Sequence, residues 1–153
     1  MSITAWRITK RKYTKDAFTG SGARKYGGRW NSPGTSIVYT AETQSLAVLE
    51  MLVHLEQSDL LRRYVLIGVT IDETLIEKLD RSRLPRRWQD APAIELRAIG
   101  DEWALRNISV ALQVPSALVQ AENNVLLNPA HPNFQKLVIG DPVSFAFDQR
   151  LAL

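Results

Sequence analysis

The sequence predicts an α+β fold: one compact domain over residues 1–153, with strongly twisted sheets. Three observations predict it. Segments rich in β-branched and aromatic residues mix with helical segments without the regular βαβ alternation of a doubly wound sheet. The chain has 153 residues, 45% of them hydrophobic, so it can bury a sizeable core without a disulfide or metal staple. No repeat, linker or low-complexity stretch divides it, and its seven prolines and eight glycines are scattered as punctuation.

Ile3 to Ile8 reads as the first strand. Thr9 to Gly28 lacks apolar periodicity and contains Gly20, Gly22, Gly27 and Gly28, which predicts a long loop; loops of that length in compact domains bind something or cover a site. Arg29-Trp30-Asn31, the turn Ser32-Pro33-Gly34 and then Ile37-Val38-Tyr39 predict strand, turn, strand. Glu42 to His54 is helical, with Thr40 or Thr43 as N-cap and apolar residues on nearly every side, so a buried helix is expected. Tyr64 to Ile71 is a second clear strand. Asp101 to Asn107 belongs to a helix, and Ile108 to Val114 is extended. Asn124 to Pro132, dense in turn formers, reads as an ordered loop. Lys136 to Ile139 and Val143 to Phe147 close the chain as strands around Gly140-Asp141-Pro142.

Composition removes several function classes. With no cysteine there is no disulfide scaffold, Cys-based zinc site, iron–sulfur cluster or thiol nucleophile, and the lack suits a reducing cytoplasm. His54 and His131 are the only histidines, and no His/carboxylate cluster suggests a metal site. No run reaches the roughly 20 apolar residues of a membrane span, and no signal-peptide h-region is expected at the N-terminus. Neither a P-loop nor a Rossmann fingerprint is present, and no Gly-x-Ser-x-Gly supports Ser116 as a nucleophile. The formal charge of +3 hides an asymmetry: residues 1–30 carry eight bases against one acid, a net of +7, and the remainder sums to −4. A basic N-terminal fifth implies an anionic partner, or else a solvated basic face.

Glu50 is the most informative residue. On a helix Leu46, Leu49, Glu50 and Val53 share one face, which sets a carboxylate in an apolar stripe. Burying an ionised Glu without partners costs on the order of several kcal/mol, so the fold must supply a cation, hydrogen bonds or a water-filled cleft. A functional cleft and a structural pair with an arginine both meet that demand. Arg29 follows two glycines and precedes Trp30, so a permissive backbone presents a planar fork of donors; it suits a pyrophosphate, a partner carboxylate such as Glu50, or plain solvent. Tyr39 ends the strand feeding the Glu50 helix, and its ring serves either stacking or core packing.

Taken in order, Trp6-Arg7, Gly28-Arg29-Trp30, Val38-Tyr39, Leu49-Glu50-Met51-Leu52-Val53-His54, Val114-Pro115-Ser116 and Asn128-Pro129-Ala130-His131-Pro132 resemble the RES-domain family over nearly the whole chain. The resemblance implies a fold similar to ADP-ribosyltransferases. It also implies a toxin of a type II toxin–antitoxin pair that degrades NAD by cleaving the nicotinamide–ribose bond as glycohydrolase or phosphorolase, without a metal. Its cognate antitoxin would carry a helix-turn-helix domain, and contact with DNA would run only through that antitoxin. Residue by residue, Glu50, Arg29 and Tyr39 match catalytic positions, and Arg7, Arg29, Tyr39 and Ser116 match positions that hold the dinucleotide. Val125 departs from the family pattern, which often places a tyrosine there. Two other readings stand beside this one: transfer of ADP-ribose to a protein or other acceptor, and a basic nucleic-acid-binding module using the +7 segment.

Overall fold

Alternation of side chains along the strands sorts the apolar residues onto the two faces of one mixed sheet. A computed structural model describes residues 1–90 and 94–151. In chain order its elements are β1 (Ser2–Lys10), α1 (Ser21–Tyr26), β2 (Val38–Ala41), α2 (Gln44–Leu52), β3 (Tyr64–Asp72), β4 (Ile76–Lys78), α3 (Ile94–Arg106), β5 (Ala111–Pro115), β6 (Asn123–Leu127), β7 (Val138–Ile139) and β8 (Val143–Phe145), joined partly by short 3-10 turns. The strand order is β4-β5-β6-β2-β1-β3-β7, with β8 also on β3; β4 and β5 run parallel and the other pairs antiparallel. The α+β class expected from the sequence is the one observed.

Tyr39, Leu126 and Leu112 stand opposite one another on β2, β6 and β5, so they share a face, and there they pack with Trp30 and with Leu96 and Trp103 of α3. Ala41 stands opposite Trp6 on the same face and joins Leu46 and Ala47 of α2, Ile8 and Tyr64 in a second cluster. Helices α3 and α2 therefore cover two halves of one face. The reverse face is filled by Ala5, Val38, Val69, Val125 and Leu127.

One irregularity in this sheet prepares the site. Strand β1 pairs with β3 along all nine of its residues but meets β2 at the single position Trp6↔Ala41. Beyond that point β1 and β2 part, and backbone groups of β2 on that side need other partners.

The structure corrects several expectations. Thr9 to Gly28 is not one loop: it holds a 3-10 turn (Arg11–Asp16) and α1, and neither contains a buried residue, so no apolar periodicity marks them. No strand forms at Arg29-Trp30-Asn31; a single bridge, Gly28↔Asn31, closes that loop. Helix α2 is shorter than expected and only partly buried: Leu46 is covered, but Leu49 is 43% and Val53 56% exposed. Asn124 to Leu127 is not loop but most of β6, an interior strand. Lys136 lies in a 3-10 turn before β7. Among the described residues no helix is long and apolar enough to cross a membrane.

Candidate active site

Helix α2 is fixed at its start in two ways. Thr43 caps it by accepting from the Leu46 N–H at 3.0 Å, so of the two threonines offered by the sequence it is the N-cap. Glu42 bonds across to β6: its Oε1 accepts from the Asn123 N–H (2.9 Å) and its own N–H donates to the Asn123 carbonyl (3.1 Å). The helix then carries Glu50 to the loop that leaves β5.

In that loop Ser116 is fully buried, and its Oγ accepts from the N–H groups of Leu118 (3.1 Å) and Val119 (3.2 Å). A hydroxyl has two acceptor sites and one proton. With both acceptor sites filled, the proton goes to Glu50 Oε1, at 2.8 Å. The direction of this bond is thereby set by the backbone. It requires that Glu50 present an accepting oxygen, and it leaves Oε2 without a hydrogen-bond partner among the described residues. The carboxylate is half-buried and makes no ion pair among them, so the arginine pair that the sequence left open is not formed.

Arg7 occupies the opening between β1 and β2. Its Nη1 donates to the Tyr39 carbonyl at 3.1 Å, satisfying a group that β1 does not reach, while its buried Nε has no partner. Burial pushes the guanidinium pKa below its ordinary value, and no acid is paired with it among the described residues. An unsatisfied buried donor costs about 1–3 kcal/mol, more when charged.

Tyr39 ties this opening to the loop of residues 28–32. Its hydroxyl donates to Asn31 Oδ1 at 2.5 Å and accepts from the Trp30 N–H at 3.0 Å. Asn31, wholly buried, spans the loop by donating to the carbonyls of Ala23 and Thr35. A Cβ on Gly28 would stand 2.6 Å from the Tyr39 hydroxyl, so a larger residue here would displace the Tyr39–Asn31 pair. Arg29 is half-buried, and among the described residues its side chain makes a single, long hydrogen bond, 3.5 Å from Nη1 to the Gln89 carbonyl.

Burial raises the Tyr39 phenol far above the ordinary tyrosine value of 10.0, opposed by the Trp30 N–H. The folded state therefore keeps a proton that the unfolded chain releases near pH 10. Stability from this group is complete below that pH and falls as pH rises beyond it. Tyr39→Phe is expected to lose less stability than the parent between about pH 9 and pH 11, read from urea midpoints.

The structure thus brings Glu50 and Ser116 together, and Arg7 and Tyr39 together. It gives Arg29 no bond to Glu50. It engages His131 elsewhere: Nδ1 accepts from the Asn133 N–H and Nε2 meets the Ile108 carbonyl, so no histidine base serves Ser116 from that side. Sequence reasoning missed Asn31, and also Arg97 and Asp101 of α3, which bond the backbone of the same loop at the Gly28 carbonyl and the Ser32 N–H. Their signal was the helical spacing upstream of Asp101. Among the described residues no group of three or more His, Asp or Glu side chains is placed to hold a metal.

The chain has relatives. The chain is 43% identical over 148 residues to a protein of Yersinia enterocolitica named Toxin Res, covering 95% of this chain and 97% of that one. It is 37% identical over 157 residues to a Sphingobium protein named Prs ADP-ribosylating toxin, covering 99% and 98%. The fold matches a chain in the crystal structure of the M. tuberculosis MbcT-MbcA toxin-antitoxin complex with a TM-score of 0.78 at 20% identity, over 95% of this chain and 85% of that one. Residues 4–148 match the family described as the RES domain, so nearly every element that builds the site falls inside the match, and the chain belongs to the RES domain family.

Proposed function

We propose that this protein is the enzymatic toxin of a toxin–antitoxin pair and that it cleaves the nicotinamide–ribose bond of NAD. The observation that carries the reading is a pair of uncompensated charges. Arg7 is a half-buried cation whose Nε–H is buried and orphaned, and Glu50 is a half-buried anion with one oxygen free; neither has an ion-pair partner among the described residues. NAD offers the complementary pattern: an anionic pyrophosphate, and a cationic nicotinamide whose ribose carbon becomes more cationic as the bond breaks.

In the reaction the bond from ribose C1′ to the pyridinium nitrogen breaks, its electron pair passes to that nitrogen, and neutral nicotinamide departs. Because the leaving group is already cationic, no second carboxyl is needed to protonate it. Glu50 stabilises the oxocarbenium-like centre, and its free oxygen accepts from a ribose hydroxyl. An acceptor O–H then bonds to C1′ and loses its proton. Arg7 and Arg29 hold the pyrophosphate, Tyr39 keeps the Arg29 loop in place through Asn31, and Ser116 orients Glu50.

With water or phosphate as acceptor the protein is a glycohydrolase or phosphorolase. A second reading, transfer of ADP-ribose to a protein, is favoured by the name of the Sphingobium relative. A cytoplasmic site of action and a DNA-binding helix-turn-helix antitoxin complete the proposal. The exposed bases Arg11, Lys12, Lys15, Arg24 and Lys25 offer charge complementary to an acidic antitoxin surface.

The test is incubation of purified, partner-free protein with NAD, with and without phosphate, followed by chromatography of the products. Release of nicotinamide is expected in step with loss of NAD. Unchanged NAD from a protein folded by circular dichroism overturns cleavage to water or phosphate, and release only when a protein acceptor is added assigns the transferase.

A further inference from the structure

We propose that α3 is a second positioning element of this site beside Tyr39: Arg97 and Asp101 hold the Gly28–Ser32 loop at its two ends and so set where Arg29 stands. Arg97, Gly100 and Asp101 follow the i, i+3, i+4 spacing that puts them on one face of a helix. Each meets a different point of the loop. Arg97 Nε donates to the Gly28 carbonyl at 3.0 Å, and Asp101 Oδ1 accepts from the Ser32 N–H at 2.9 Å. Between them Gly100 lies directly against the loop, since a Cβ there would overlap the Trp30 carbonyl oxygen.

The contacts therefore fall at residues 28, 30 and 32 and bracket Arg29. The Gly28–Asn31 bridge and the Tyr39–Asn31 network fix the middle of the loop, and the Gly28 carbonyl and Ser32 N–H at its ends take their geometry from α3. Arg97 and Asp101 are spaced to pair with each other along the helix, yet among the described residues they form no ion pair, and both bond the loop backbone instead. Two charge-assisted bonds to the ends of this loop give Arg29 a fixed starting point, which is what anchoring a pyrophosphate requires. That use of Arg29 rests on the NAD reading above.

The test combines amide hydrogen exchange of the substrate-free protein, followed by NMR, with steady-state kinetics on NAD. Arg97→Ala and Asp101→Ala are each expected to speed exchange at residues 28–32 and to raise KM for NAD by about tenfold, the scale of one charge-assisted hydrogen bond, with kcat changed much less. Arg97→Lys and Asp101→Asn keep a donor for Gly28 and an acceptor for Ser32, so both are expected to restore KM. In an Arg29→Ala background the alanine changes on α3 are expected to add little, because they act through Arg29. Unchanged exchange in both alanine variants overturns the proposal, as does faster exchange with unchanged KM. Arg97→Lys as weak as Arg97→Ala also overturns it, by assigning Arg97 a direct fork contact with substrate. If no protein, parent included, releases nicotinamide, the NAD reading fails by itself, and the exchange rates still decide whether α3 holds the loop.

Discussion

Glu50→Gln is expected to slow nicotinamide release by on the order of a hundredfold or more, the effect of losing one preorganised electrostatic contact worth roughly 3 kcal/mol. The substitution isolates charge from architecture. The Ser116 hydroxyl receives two backbone N–H groups and must donate its proton, and a glutamine carbonyl oxygen still accepts it, though more weakly than the charged carboxylate. Residues 44–52 keep their helix, and the melting temperature is expected to stay within about 4 °C of the parent, the shift that about 1 kcal/mol produces at this size. Stopped-time assays of nicotinamide with parallel thermal melts make the measurement. Activity within a few fold of the parent makes Glu50 a structural partner of Ser116 and removes it from the chemistry.

Arg7→Met is expected to separate activity from stability in the opposite sense. The arginine is desolvated, its Nε is unpartnered and its single bond goes to the Tyr39 carbonyl, so in the absence of substrate it is an uncompensated charge. Replacing a desolvated charge by an apolar chain of similar length removes its desolvation cost, an exchange that for buried ion pairs is often neutral or stabilising by about 1–4 kcal/mol. The Tyr39 carbonyl left behind sets a cost of about 1–3 kcal/mol against that gain. The melting temperature is therefore expected to hold or rise, while KM for NAD rises by about 10- to 100-fold through loss of a charge-assisted contact to phosphate. A variant that melts well below the parent with an unchanged KM assigns Arg7 to the β1–β2 junction alone.

Much of the scaffold was legible because it follows local rules. Tyr64–Asp72 carries the β-branched residues of a long strand, and Thr43 stands where a cap is needed before Gln44–Leu52. Strand β6 was read as a loop for a physical reason. An interior strand covered on both faces shows a continuous apolar run instead of alternation, and Val125-Leu126-Leu127 sits between two asparagines and an Asn-Pro turn. Helix α2 misled in the other direction: Leu49 and Val53 have the right spacing for burial, but only part of the helix meets the sheet. The short helices of residues 11–26 bury nothing within themselves and so leave no periodic signal.

The candidate site divides along the same line. By itself the sequence determined that Glu50 stands on a helix among apolar residues, that glycine precedes Arg29, and that Ser116 follows a strand, because these are properties of neighbours along the chain. Only the tertiary structure decided what each of them faces. Glu50 meets a serine 66 positions away and not an arginine, Arg7 fills a gap where two strands part, and a helix 69 positions downstream grips the Gly28–Ser32 loop. Side-chain direction, strand divergence and helix docking arise from packing between distant segments, and the free energy that selects them belongs to no local stretch of chain.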